Sequence, residues 1–136
     1  VQPGPPPPTP APRVDSLAQL GAEYRGLREV QGHFSSGFAS WNEDVDGPQG
    51  RKAVVMRALG ERLGRSGTPR QLVTAHLGEP DVLARPGEVL WSYALGDAPA
   101  PAPLMLIYLW RGTHDFLYFL VDDAQVVRAG WWNALE

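Results

Sequence analysis

The chain has 136 residues, enough for one domain, and contains no cysteine, which removes disulfides, thiolate catalysis and cysteine-ligated zinc. A net charge of −3 offers no basic field to hold a phosphate backbone, so nucleic acid is not expected as a partner. No apolar run approaches the roughly 18 residues of a membrane span; the longest, Leu104 to Trp110, has strand length.

Residues 1–13, VQPGPPPPTPAPR, hold too many prolines for helix or sheet and read as a disordered leader tethering a single domain over residues 14–136. The first residue is Val1 rather than Met, which leaves room for a signal peptide or lipid anchor upstream. With such a segment the protein would be secreted or envelope-associated, and otherwise cytoplasmic. Asp15 is then expected to cap a helix over about 16–31, with Leu17, Leu20, Tyr24, Leu27 and Val30 on one apolar face. The glycine-punctuated stretch 32–47, GHFSSGFASWNEDVDG, reads as a long loop of a kind that often carries function. Asp46 and Pro48 predict the start of a second helix over about 48–63, which Gly64 ends. Thr68 and Gln71 form a capping-box pattern for a short third helix, stopped by Gly78 and Pro80.

From there the period becomes that of strands, predicted near 82–84, 88–95, 104–111, 114–121 and 125–132. Reversals are expected at Gly112-Thr113 and at Asp122-Asp123, while the proline-rich segment 96–103 cannot pair centrally in a sheet. The fold class is therefore α+β, with two to three N-terminal helices packed on a four- to five-stranded antiparallel meander.

The runs Gly67-Thr68-Pro69-Arg70-Gln71-Leu72-Val73, Leu77-Gly78-Glu79-Pro80-Asp81 and Gly87-Glu88-Val89-Leu90-Trp91-Ser92-Tyr93 resemble the repeat unit of small outer-membrane lipoproteins of the SmpA/OmlA (BamE) type. The β-lactamase-inhibitor-protein fold shares that architecture. The resemblance spans residues 67–93 and implies a capped helix, a Leu-Gly-x-Pro-Asp turn and a strand bearing Trp-x-Tyr, with protein binding or envelope assembly and no catalysis. The blocks GHFSSGFASWNEDVDG, WRGTHDFLYF and AGWWNALE depart from it and are similar instead to a set of small, mainly fungal proteins with WN-x-DVD and WRG-x-HD blocks. That similarity implies no activity.

The sheet is the strongest physical anomaly. Leu104, Leu106, Tyr108 and Trp110 would occupy one face and Met105, Ile107 and Leu109 the other, so neither face is polar, and 116–121 repeats the pattern. An antiparallel sheet open to water on one side normally alternates. Both faces must be covered from within, by the 32–47 loop among others, or one face must take a protein partner, a second copy or a small molecule.

The leading expectation is a non-catalytic interaction module that binds a protein partner or a second copy through Trp41, Tyr108, Trp110, Arg111, His114, Trp131 and Trp132. The alternative is a small ligand-binding domain or hydrolase-like enzyme of NTF2-like form. Its pocket would lie between the 32–47 loop and the sheet, with His33, Asp44, Arg111, His114 and Asp115 as its polar groups and His33, His114 and Asp115 as acid–base candidates. Across the Gly112-Thr113 turn, Arg111 should face His114 and Trp110 should face Asp115, with an indole-to-carboxylate bond holding the hairpin tip. His33 and the carboxylates of the loop lack EF-hand spacing, the glycines fit no phosphate cradle, and no cofactor or metal is expected.

Overall fold

The computed structural model describes residue 4 and residues 16–34, 40–112 and 115–133. The rest of the proline-rich leader, Val14, Asp15, residues 35–39, Thr113, His114 and residues 134–136 lie outside the described residues.

Helix α1 spans Leu17–Leu27 and is capped by Ser16, whose hydroxyl accepts from the Gln19 amide while the Gln19 side chain accepts from the Ser16 amide. This reciprocal pair satisfies two of the helix's orphan donors. The helix stops short of the expected end at 31, and Val30 lies outside it, 38% exposed. A four-residue helix, α2, Glu43–Asp46, sits inside the expected long loop. The next helix, α3, therefore starts at Arg51 rather than 48 and runs to Leu63, with Gly50 as its N-cap in place of Asp46. Its buried Ala53, Met56, Leu59 and Leu63 repeat at helical spacing. Helix α4, Arg70–Leu77, begins after Pro69 without a side-chain cap, so the Thr68/Gln71 box is not formed, and Gly78 at φ +83° ends it.

Strand β1, Val82–Ala84, leads into helix α5, Val89–Leu95, where a strand over 88–95 was expected. The physical reason is burial on one helical side: Trp91 is buried, Leu90, Ala94 and Leu95 pack beside it, and Val89 and Tyr93 point to solvent. The Arg85–Glu88 turn that starts the helix is closed by Glu88, whose carboxylate accepts from the Arg85 amide at 2.7 Å. Strands β2, Leu104–Leu109, β3, Asp115–Val121, and β4, Val126–Asn133, complete a four-stranded antiparallel sheet of order β1-β2-β3-β4. At the β3–β4 reversal, Asp122 accepts from the amides of Ala124 and Gln125 at 2.9 and 2.8 Å, an Asx-type turn. The architecture is thus α+β, with its longer helices N-terminal to the meander.

The two faces of the sheet carry two separate cores. Leu106, Tyr108, Trp110, Leu117, Phe119 and Val121 pack with buried residues of α1, α3 and α4. Met105, Ile107, Phe116, Tyr118 and Leu120 lie on the other face, packed with Trp91 and Ala102 of the 85–103 connection. The second apolar face is therefore covered from within, by the segment that alternation assigned to an extra strand, and not by the 32–47 loop.

Candidate functional site

The blocks around WNEDVD and WRG meet at one end of the sheet. Asn42 caps α2 by accepting from the Asp44 amide at 3.0 Å. Asp46, the last residue of that turn, is 2% exposed, and its Oδ2 accepts from the backbone amides of His33 and Asn42, each at 2.7 Å. One buried carboxylate thereby ties both ends of the 33–42 stretch together, with the donors that a buried charge requires. The indole N–H of Trp110 donates to the Val45 carbonyl at 2.8 Å, so the expected bond from this indole to a carboxylate is replaced by one to α2. Asp115 is instead taken by Arg111, whose Nη2 lies 2.7 Å from Oδ2 and whose Nε donates to the same oxygen at 2.8 Å. The Arg111 guanidinium lies 4.1 Å from the Trp110 ring centroid and 5.3 Å from that of Phe34, placing a charged plane between two aromatic groups. Gly112 at φ +55° supplies the left-handed residue that begins this hairpin turn.

Beside this node opens a cleft of about 480 Å³, walled by the C-terminal end of α1, Phe34, Val45 and Asp46, the start of α3, the α4–β1 turn and the end of β2. Its charged groups are held in different ways. Arg25 Nη1 donates to the His76 carbonyl at 2.6 Å, and Arg28 Nη1 to that of Leu77 at 2.8 Å, so two cations cover the C-terminal carbonyls of α4. Arg28 also pairs with Asp81 at 2.8 Å and lies over the rings of Tyr24 and Tyr108. Asp81 accepts a further bond from the Leu109 amide at 2.8 Å. Lys52, by contrast, donates to the Trp110 carbonyl at 3.2 Å and forms no ion pair with any described residue. Burial pushes its ammonium below the ordinary lysine range, with Asp81 and Asp46 opposing that shift and Arg28 adding to it.

Several of the expected site residues converge here and others do not. Of them, Trp110 lines the cleft, with Arg111 and Asp115 paired immediately behind, and Phe34, Asp46 and Gly112, which were not expected in a site, complete this part of the wall. His33 is exposed, its ring 5.1 Å from Phe34 and 6.3 Å from Trp41, so the three form an aromatic cluster of which Phe34 reaches the cleft wall. Trp41 is 51% exposed and held by an indole bond to Glu43 at 2.9 Å. Asp44 is exposed on α2 and takes no place in the cleft wall. Tyr108 is fully buried in the sheet core, its hydroxyl donating to the Gly78 carbonyl at 2.8 Å, and so presents no binding face. Trp131 and Trp132 point to opposite faces: Trp131 packs edge-on against Trp110, and Trp132 stacks on Tyr93 at 5.0 Å on the far side. His114 lies outside the described residues. Arg25, Arg28, Lys52 and Asp81 were not singled out from sequence, although the i, i+3 spacing of the two arginines puts them on one side of α1.

A shallower groove of about 360 Å³ lies between α3 and β4, beside Gly60, Gly64 and Trp131. A Cβ on Gly60 would stand 2.8 Å from a Leu117 methyl, so helix and sheet approach closely at this point. Among the described residues no group of three His, Asp or Glu side chains converges as a metal ion would require, and no helix is long and apolar enough to cross a membrane. No family model matches the chain, and neither a curated protein nor a solved structure matches it.

Proposed function

We propose that the chain is a non-catalytic interaction module that takes a protein partner through the cleft lined by Phe34, with the aromatic cluster of His33 and Trp41 beside it. One observation carries this reading: both faces of the sheet are covered from within, whereas the cleft stays open beside a tryptophan that is 51% exposed. A large aromatic side chain beside a polar, partly desolvated recess has the character of an interface anchor. The carboxylates nearest the cleft support binding over catalysis. Asp46 holds backbone amides, Asp81 holds Arg28 and an amide, and Asp115 behind them holds Arg111, so these three are occupied in fixing the walls, while Glu29, also on the wall, is exposed to solvent. Protein binding without catalysis is also what the resemblance of residues 67–93 implies.

Panning a phage-displayed random peptide library on the immobilised domain tests the reading. Enriched peptides should bind the wild-type chain and lose about tenfold or more in affinity with Trp41→Ala, a cost of about 1.4 kcal/mol or more. Panning that enriches nothing, or peptides indifferent to both Trp41→Ala and Phe34→Ala, would overturn it.

A further inference from the structure

We infer that the cleft recognises its peptide partner by a carboxylate, an acidic side chain or chain terminus, received by the ammonium of Lys52. The inference rests on the cleft being the binding site and adds the chemistry of what enters it.

The charges on the cleft wall divide into those already committed and those left over. Of the three acidic groups lining the cleft, Asp46 and Asp81 are engaged by amides or a guanidinium, and Glu29 is exposed to solvent and is not among the charges that act on Lys52. Of the cations, Arg25 and Arg28 are spent on α4 carbonyls and on Asp81. Lys52 has three N–H groups and one described acceptor, a carbonyl at 3.2 Å. It also lines the cleft, so its remaining donors have open space to serve. The groups facing it are Asp46 and Asp81, which favour its charged form, and Arg28, which disfavours it. The carboxylates within electrostatic reach hold other donors, so a ligand carboxylate would be the first to pair with this ammonium directly, beside the Trp110 carbonyl it already holds. An ammonium half removed from water, with donors in hand, gains more from an incoming carboxylate than a fully solvated surface lysine does.

Lys52 was not distinguishable in sequence from its neighbour Arg51, yet the two have opposite fates. Arg51 turns outward to a two-point pair with Glu23 at 2.6 and 2.8 Å, and Lys52 turns inward beneath Trp110.

The test uses the peptides enriched on the wild-type chain, resynthesised with each Asp, Glu and C-terminal carboxylate replaced in turn by its amide. At least one replacement should weaken binding about tenfold or more on the wild type and less than about twofold on Lys52→Met, the signature of a direct coupling in a double-mutant cycle. Lys52→Arg, which keeps the charge, should retain sensitivity to the same replacement, and thermal unfolding should confirm that both variants fold. Peptides that require Trp41 but ignore every amide replacement would overturn the carboxylate inference and leave the cleft as the binding site. Equal sensitivity on wild type and Lys52→Met would overturn the role of Lys52. If no peptide is enriched while N-acetylglutamate shifts the Lys52 and Trp110 resonances of the wild type alone, the chemistry holds for a small free carboxylate and the peptide partner is overturned.

Discussion

The indole N–H of Trp110 donates to the backbone carbonyl of Val45 at 2.8 Å, joining the end of β2 to α2 across 65 positions of sequence. Two blocks with no local reason to meet are tied there by this buried bond, beside the contacts of Arg111 with Phe34 and the Asp46 carbonyl, and the cleft wall depends on it. Trp110→Phe keeps an aromatic ring but removes the donor, leaving a buried carbonyl without its partner. The expected loss is about 1–3 kcal/mol in urea unfolding, with faster amide exchange at Val45 to Gly47 than in β3. An unchanged midpoint together with unchanged exchange would show that α2 is held by something else.

Trp91 is the centre of the cover over the second sheet face, 1% exposed among Met105, Ile107, Phe116 and Leu120. Trp91→Ala should cost about 3–5 kcal/mol, since it opens a large cavity that α5 can only partly collapse into. Uncovered sheet should also bind 1-anilinonaphthalene-8-sulfonate, which the wild type should not. A destabilised variant that stays dark to the dye would mean that residues 96–103, and not α5, provide the cover.

Tyr24 and Tyr108 pack edge to face with ring centroids 6.2 Å apart, and burial pushes both hydroxyls well above the ordinary tyrosine range. Their folded-state values lie above the unfolded value of 10.0, so the stability they contribute is complete below that pH and is lost as the pH rises beyond it. Absorbance at 295 nm should therefore show these two tyrosines ionising only together with alkaline unfolding. The Tyr24 hydroxyl is buried without a hydrogen-bond partner among the described residues, so Tyr24→Phe should leave stability at neutral pH unchanged or raise it, and move the alkaline transition upward. A loss above about 1 kcal/mol at neutral pH would contradict that account.

Much of this molecule could be read from its residues, and what could not has specific physical causes. The two-sided apolar character of β2 and β3 was plain in the alternation, and it required cover on both faces. What supplied the cover was not plain. Val89, Trp91, Tyr93 and Leu95 alternate like a strand, while Leu90, Trp91, Ala94 and Leu95 also repeat like a helix, and the available face of the sheet decided between the two. Asp46 was expected to cap the start of the second helix, but it is the last residue of α2, which uses it as a clasp, and α3 begins at Arg51 behind Gly50. The inward turn of Lys52 depends on a rotation of about 100° from Arg51, a matter of where α3 docks and not of either residue's chemistry. Trp110 and Arg111 stood out by type alone, and their partners across the fold, Val45 and Phe34, were invisible until the chain closed.

All seven residues of β3 are buried, and the strand is paired along both edges, by β2 on one side and β4 on the other. Each strand of the sheet bonds only to its neighbours in sequence, so the meander can assemble in the order in which a ribosome delivers it. A nascent chain paused after β3 would nonetheless present six apolar residues, Phe116 to Val121, along an unpaired edge, a ready template for a second such chain. The arrival of β4 is thus the moment at which synthesis stops being hazardous. Slow translation through residues 122–133 should then increase the demand on ribosome-bound chaperones.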